Sequence, residues 1–98
     1  MQLHQQRLQK AQALMREQGM IGMMIMTRDD FRYFFGEIRV QPRAILPVEG
    51  PPWIICFQAE EAEIYDQLPG VRVLSFWHVG EQMRSVSQTF RELAQKFH

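Results

Sequence analysis

Residues 20–26, MIGMMIM, constrain the fold of this chain more than any other stretch. Every position except Gly22 is apolar, yet the run is too short for a buried helix and far below the ~20 residues that cross a bilayer. A β-strand covered on both faces satisfies it, and that requires helices above and below a sheet. Such a strand is expected at the centre of its sheet. Thioethers bind soft Cu(I), so the four methionines raise the question of a metal site. In a strand, however, Met20, Met24 and Met26 project opposite to Met23, and the sulfurs do not converge. Core packing is the reading adopted, because methionine fills irregular gaps in an interior.

The flanking residues supply the other elements. Leu8, Ala11, Leu14 and Met15 recur at helical spacing between Leu3 and Gln18, and Gly19 follows where a helix terminates. Thr27 with Asp30 three residues on has the capping-box spacing, which predicts a short helix from about Arg28 to Phe35 closed by Gly36. RAILPV and WIICF, separated by EGPP, read as a hairpin, with Pro47 near a sheet edge or at a bulge. AEEAEIYDQL is a helix stopped by Pro69-Gly70, and VRVLSF is a further strand. Met83, Val86, Phe90, Leu93 or Ala94, and Phe97 form the stripe of a last amphipathic helix. The expected fold is α/β: a mixed sheet of at least four strands with helices on its faces, in a single domain over residues 1–98.

Composition excludes several functions. Eleven basic residues balance eleven acidic ones without a Lys/Arg cluster, so the electrostatic footprint of a nucleic-acid or anionic-membrane binder is missing. The N-terminal MQLHQQRLQKAQ lacks the apolar core of a signal peptide, and the single Cys56 lies in an apolar run. A reducing cytoplasm is the expected compartment.

The chemistry-bearing residues form no familiar constellation. His4, His78 and His98 are far apart, and no HExxH or Cys/His spacing exists. Asp29 and Asp30 sit at a helix start, where negative charge and capping explain them, and Glu60, Glu61 and Glu63 do the same in a later helix. No GxSxG elbow or phosphate-binding glycine loop is present, so no catalytic or metal-ligating residue is assigned. The stretch FRYFFGEIRVQPR stands out instead. Four aromatics on a short helix cannot all face one core, so Phe31, Phe34 and Phe35 are expected inside, while Tyr33 and Arg39 reach a ligand or partner. His78 is expected on an exposed loop, and beside it Trp77, at a strand end, is a third surface candidate.

The order of these elements, with RYFFG, the RAILPVEG strand and turn, EGPPW and the Glu-rich helix, resembles the N-terminal domain of the creatinase, prolidase and Xaa-Pro aminopeptidase group. Phe34-Phe35 stands where members of that group carry Leu-Thr, and Asp30 or Phe31 where they often carry Asn. The resemblance implies a creatinase-type N-terminal fold, with its ribonuclease H-like motif, in a longer chain. Hydrolysis of Xaa-Pro peptides and two divalent metal ions would then belong to a C-terminal catalytic domain outside residues 1–98. The implied role here is non-catalytic: to help form a subunit interface and the active-site entrance, with Tyr33, Arg39 and Trp77 near the substrate channel or a neighbouring subunit. The partners implied are that catalytic domain, a second subunit and, through the intact enzyme, a proline-containing peptide. A free-standing interaction or oligomerisation module with the same fold is the alternative, and a small enzyme with its own site is a third.

Overall fold

The computed structural model describes residues 2–37 and 41–97. Along the chain lie α1 (Gln2–Glu17), β1 (Gly22–Ile25), α2 (Arg28–Phe35), β2 (Ala44–Pro47), β3 (Trp53–Phe57), a 3-10 turn (Gln58–Glu60), α3 (Glu61–Gln67), β4 (Arg72–Phe76) and α4 (Val79–Phe97). The expected elements are all present, and α2 has the predicted bounds. Its cap forms as its residue types dictate: the Thr27 hydroxyl accepts the Asp30 N–H at 3.1 Å, relieving one of the helix's free donors. At the other end the Gly36 N–H closes onto the Arg32 carbonyl with φ +80°, a conformation that strongly favours glycine.

The four strands lie in the order β1-β2-β3-β4. β2 is antiparallel to both neighbours, whereas β3 and β4 are parallel and joined through α3, as a crossover requires. Strand alternation sorts the interior into two layers. Met23, Ile25, Ala44, Leu46, Ile54, Cys56 and Val73 face α1, α2 and α3. Met24, Ile45, Trp53, Ile55, Leu74 and Phe76 face α4, meeting Val86, Phe90 and Leu93. Helices therefore cover both faces of a mixed sheet.

Three expectations need correction. β1 is covered on both faces but forms an edge of the sheet, because coverage by helices is independent of lateral position. Pro47 ends an interior strand rather than marking an edge or a bulge. The next residue, Val48, donates to Ile21 of the β1 side, so by alternation the Pro47 nitrogen points toward β3, past the last β2–β3 pair at Ile45 and Trp53. The methionines divide: Met23 and Met24 join the two cores, whereas Met20 and Met26 are exposed, since the strand spans only Gly22–Ile25.

Candidate functional site

Because β1, β3 and β4 run one way and β2 the other, the carboxyl ends of three strands and the start of β2 share one end of the sheet. The apolar stripe of α4 begins at this end, at Val79, one turn earlier than Met83, where the sequence spacing placed it. Val79, Met83, Val86 and Phe90 continue one row, but only its later part meets the sheet. Val79 and Met83 are 65% and 67% exposed, and Trp77, on the preceding bend, is 65% exposed. Phe57 adds a half-exposed ring against Phe76, 4.8 Å between centroids, at the ends of β3 and β4. An apolar group of this kind is rarely left to water without a use.

A polar clamp sits beside this group. Arg43, just before β2, donates through Nη1 to Oε1 of Gln82 at 3.0 Å. Gln82 lies in the first turns of α4 and is buried, and its Nε2 has no hydrogen-bond partner among the described residues. Sequence reasoning missed Val79, Met83, Phe57 and this clamp. The stripe at 79, 83, 86 and 90 was readable, but its bare first turn depends on where the sheet ends.

Of the three sequence candidates, two fall among the described residues, on separate elements. Tyr33 lies on α2, half exposed, with the Arg7 guanidinium 4.4 Å above its ring and Arg7 Nη1 donating to its carbonyl at 2.7 Å. Trp77 follows β4, at the opposite edge of the sheet from β1. Arg39 lies outside the described residues. Phe31, Phe34 and Phe35 are buried as expected, and His78 is exposed as expected, its carbonyl accepting the Glu81 and Gln82 N–H groups at the start of α4.

The carboxylates of the α3 region are engaged structurally. Glu60 accepts the Phe57 N–H at 3.0 Å, Glu61 accepts the Ser75 hydroxyl at 2.8 Å, and Glu63 accepts from the Gln67 amide at 2.8 Å. Among the described residues no three His, Cys, Asp or Glu side chains are grouped to hold a metal, so a two-metal centre does not fit here. Burial, reinforced by Glu60 and Glu61, pushes the Cys56 thiol up to about 11, the opposite of an activated nucleophile. No described helix is long and apolar enough to cross a membrane.

Residues 7–96 match the Creatinase/Prolidase N-terminal domain. The chain belongs to that family. A dipeptidase PepE from Mycobacterium ulcerans is a solved structure similar to this creatinase-type domain, with a TM-score of 0.62 and 26% identity. The match covers 76% of this chain and 22% of that one, so this chain corresponds to less than a quarter of the dipeptidase. No curated protein sequence matches it.

Proposed function

We propose that this domain serves as the non-catalytic N-terminal part of an Xaa-Pro peptidase of the aminopeptidase P or prolidase type, helping to form the subunit interface and the active-site entrance. The observation carrying this reading is the apolar group of Trp77, Val79 and Met83, which the chain itself leaves bare. Such residues gain free energy when another protein surface excludes water from them, at roughly 25 cal/mol per Å². Family membership supplies the context, and the PepE dipeptidase is a longer protein with a domain of this fold. On this reading the partners are a catalytic domain in the same polypeptide and a second subunit of a cytoplasmic dimer. The two divalent metal ions and the proline-containing peptide belong to the catalytic domain. Tyr33, Arg39 and Trp77 lie near the substrate channel or the neighbouring subunit.

The first test is the natural gene product: its mass, its metal content, and its hydrolysis of an Xaa-Pro dipeptide and an Xaa-Pro-Xaa tripeptide. A longer chain with about two metal ions per subunit and Xaa-Pro cleavage is expected. In that enzyme Trp77→Ala is expected to weaken dimerisation or lower kcat/KM by about tenfold, as loss of a buried interface aromatic does. A metal-free, inactive product of about the present length would instead favour a free-standing interaction module. Unchanged dimerisation and kcat/KM in Trp77→Ala, Tyr33→Ala and Arg39→Ala alike would reject the interface role.

A further inference from the structure

On the face of the sheet carrying α1, α2 and α3, a groove of about 400 Å³ opens between α1 and the turns before β3 and β4. It is recessed into the core: Phe35, Leu46 and Leu68 line it, and all three are at most 5% exposed. Two Gly/Pro turns, Gly50-Pro51-Pro52 and Pro69-Gly70, form the far wall, and the near wall is one face of α1.

Hydrogen bonds hold the groove open. α1 reaches the sheet through long polar side chains: Gln12 Nε2 donates to the Pro47 and Gly50 carbonyls at 3.0 and 2.9 Å, and Arg16 Nη2 to that of Val48 at 3.4 Å. Arg7 anchors the start of the helix to α2 through the Tyr33 carbonyl. The opposite wall is fastened by Arg72, whose backbone N–H donates to Pro52 at 2.8 Å and whose Nη2 donates to Pro51 at 2.6 Å. Collapse of α1 onto Leu46 would break these bonds, so the cavity is preorganised rather than a packing gap.

The lining also defines the ligand. Among the described residues no Asp, Glu, Lys or Arg lines the groove, so none of them offsets the cost of removing a charge from water. At the rim, Gln5, Gln9 and His4 hold no side-chain hydrogen bond to another described residue, leaving neutral donors and acceptors above an apolar floor. Desolvation, with the N-terminus and Arg7 nearby, lowers the His4 pKa, which keeps the imidazole neutral at pH 7. Among the described residues, none of the large exposed hydrophobic side chains borders the opening, which gives a docking polypeptide no adjoining apolar surface there. The volume lies in the range of small-molecule pockets.

We infer that this groove is a binding site for a small neutral molecule made of an apolar ring bearing one N–H or amide group. The ring lies on Phe35, Leu46 and Leu68, and the polar group meets the amides of Gln5 and Gln9. The site is independent of the interface proposed above, which lies at the other end of the sheet.

Indole is the probe, titrated into the 15N-labelled 98-residue chain with indole-3-acetate as its charged counterpart. Saturable shifts of the Leu8, Gly50, Gly70 and Val71 amides are expected, with Kd on the order of 1 mM or tighter for so small a ligand. The acetate is expected to bind at least about tenfold more weakly, since the described lining residues include no cation to offset its desolvation. Val71→Phe, which fills the groove, should abolish the shifts. Should that variant unfold, the exposed double variant Gln5→Ala/Gln9→Ala provides the second test, with indole affinity lowered about threefold to tenfold and an unchanged urea midpoint. The inference is overturned if indole causes no saturable shifts, if the filled or double variant binds it as well as the parent does, or if only a proline-rich peptide moves these amides.

Discussion

At the scale of single residues, environment decides what each group can do, and Cys56 is the clearest example. Its side chain is fully buried and its pKa is raised from 9.0 to about 11. The folded state keeps its proton after the unfolded chain has lost one, so this contribution to stability is present below pH 9 and is lost as pH rises toward 11. The unfolding free energy is expected to fall there by up to about 1.4 kcal/mol per pH unit, measurable by urea titration against a Cys56→Ala control. At pH 7 the native thiol should resist a disulfide reagent that reacts at once in guanidinium. Thr27 was legible in advance because a cap needs only three residues of local sequence. Thr27→Ala is expected to cost about 1 kcal/mol, read from the urea midpoint, and Thr27→Ser much less.

Among the elements, α4 and β1 show how closely neighbours limit one another. A Cβ placed on Gly22 would lie 3.2 Å from the Leu46 carbonyl oxygen and 3.2 Å from Leu93 Cδ1, so α4 lies this close to β1 only because residue 22 has no side chain. Gly22→Val is expected to destabilise the chain by about 1–3 kcal/mol, and thermal melting would show it. On the outer strand, the Arg72 guanidinium lies 3.4 Å from the centroid of the Trp53 ring while holding the Pro51 carbonyl. Arg72→Lys keeps the charge but loses the planar stack, and a loss of about 1 kcal/mol is expected on denaturant unfolding. Neither contact is visible in sequence, where Gly22 interrupts an apolar run and Arg72 begins a strand. The helix caps and strand alternation were legible, since they depend on neighbours within a few positions.

For the whole molecule, the lateral order of strands and the point where the sheet stops govern which surfaces remain bare. Because Val79 and Met83 touch no core cluster, Val79→Ser/Met83→Ser is expected to leave the stability of the chain within about 0.5 kcal/mol. If the proposed interface role holds, the same pair should weaken subunit association of the intact natural protein, which sedimentation would detect. Of these exposed residues, Trp77 was singled out in the sequence as an aromatic at a strand end, whereas Met83 was read as the start of a packed stripe and Val79, before it, drew no reading. Leu14 was misjudged in the same way: it has helical spacing with Met15, yet it is 54% exposed, while Met15 is buried. By itself the sequence determined the class of fold, the order of its elements, the α2 caps and the two-sided coverage of the strand at the middle of MIGMMIM, because periodicity and capping act over a few residues. Only the tertiary structure decided that β1 is an edge, that α4 begins with an uncovered turn, and that a groove opens between α1 and the turns before β3 and β4. Those features depend on contacts between residues distant in sequence, which no local pattern records.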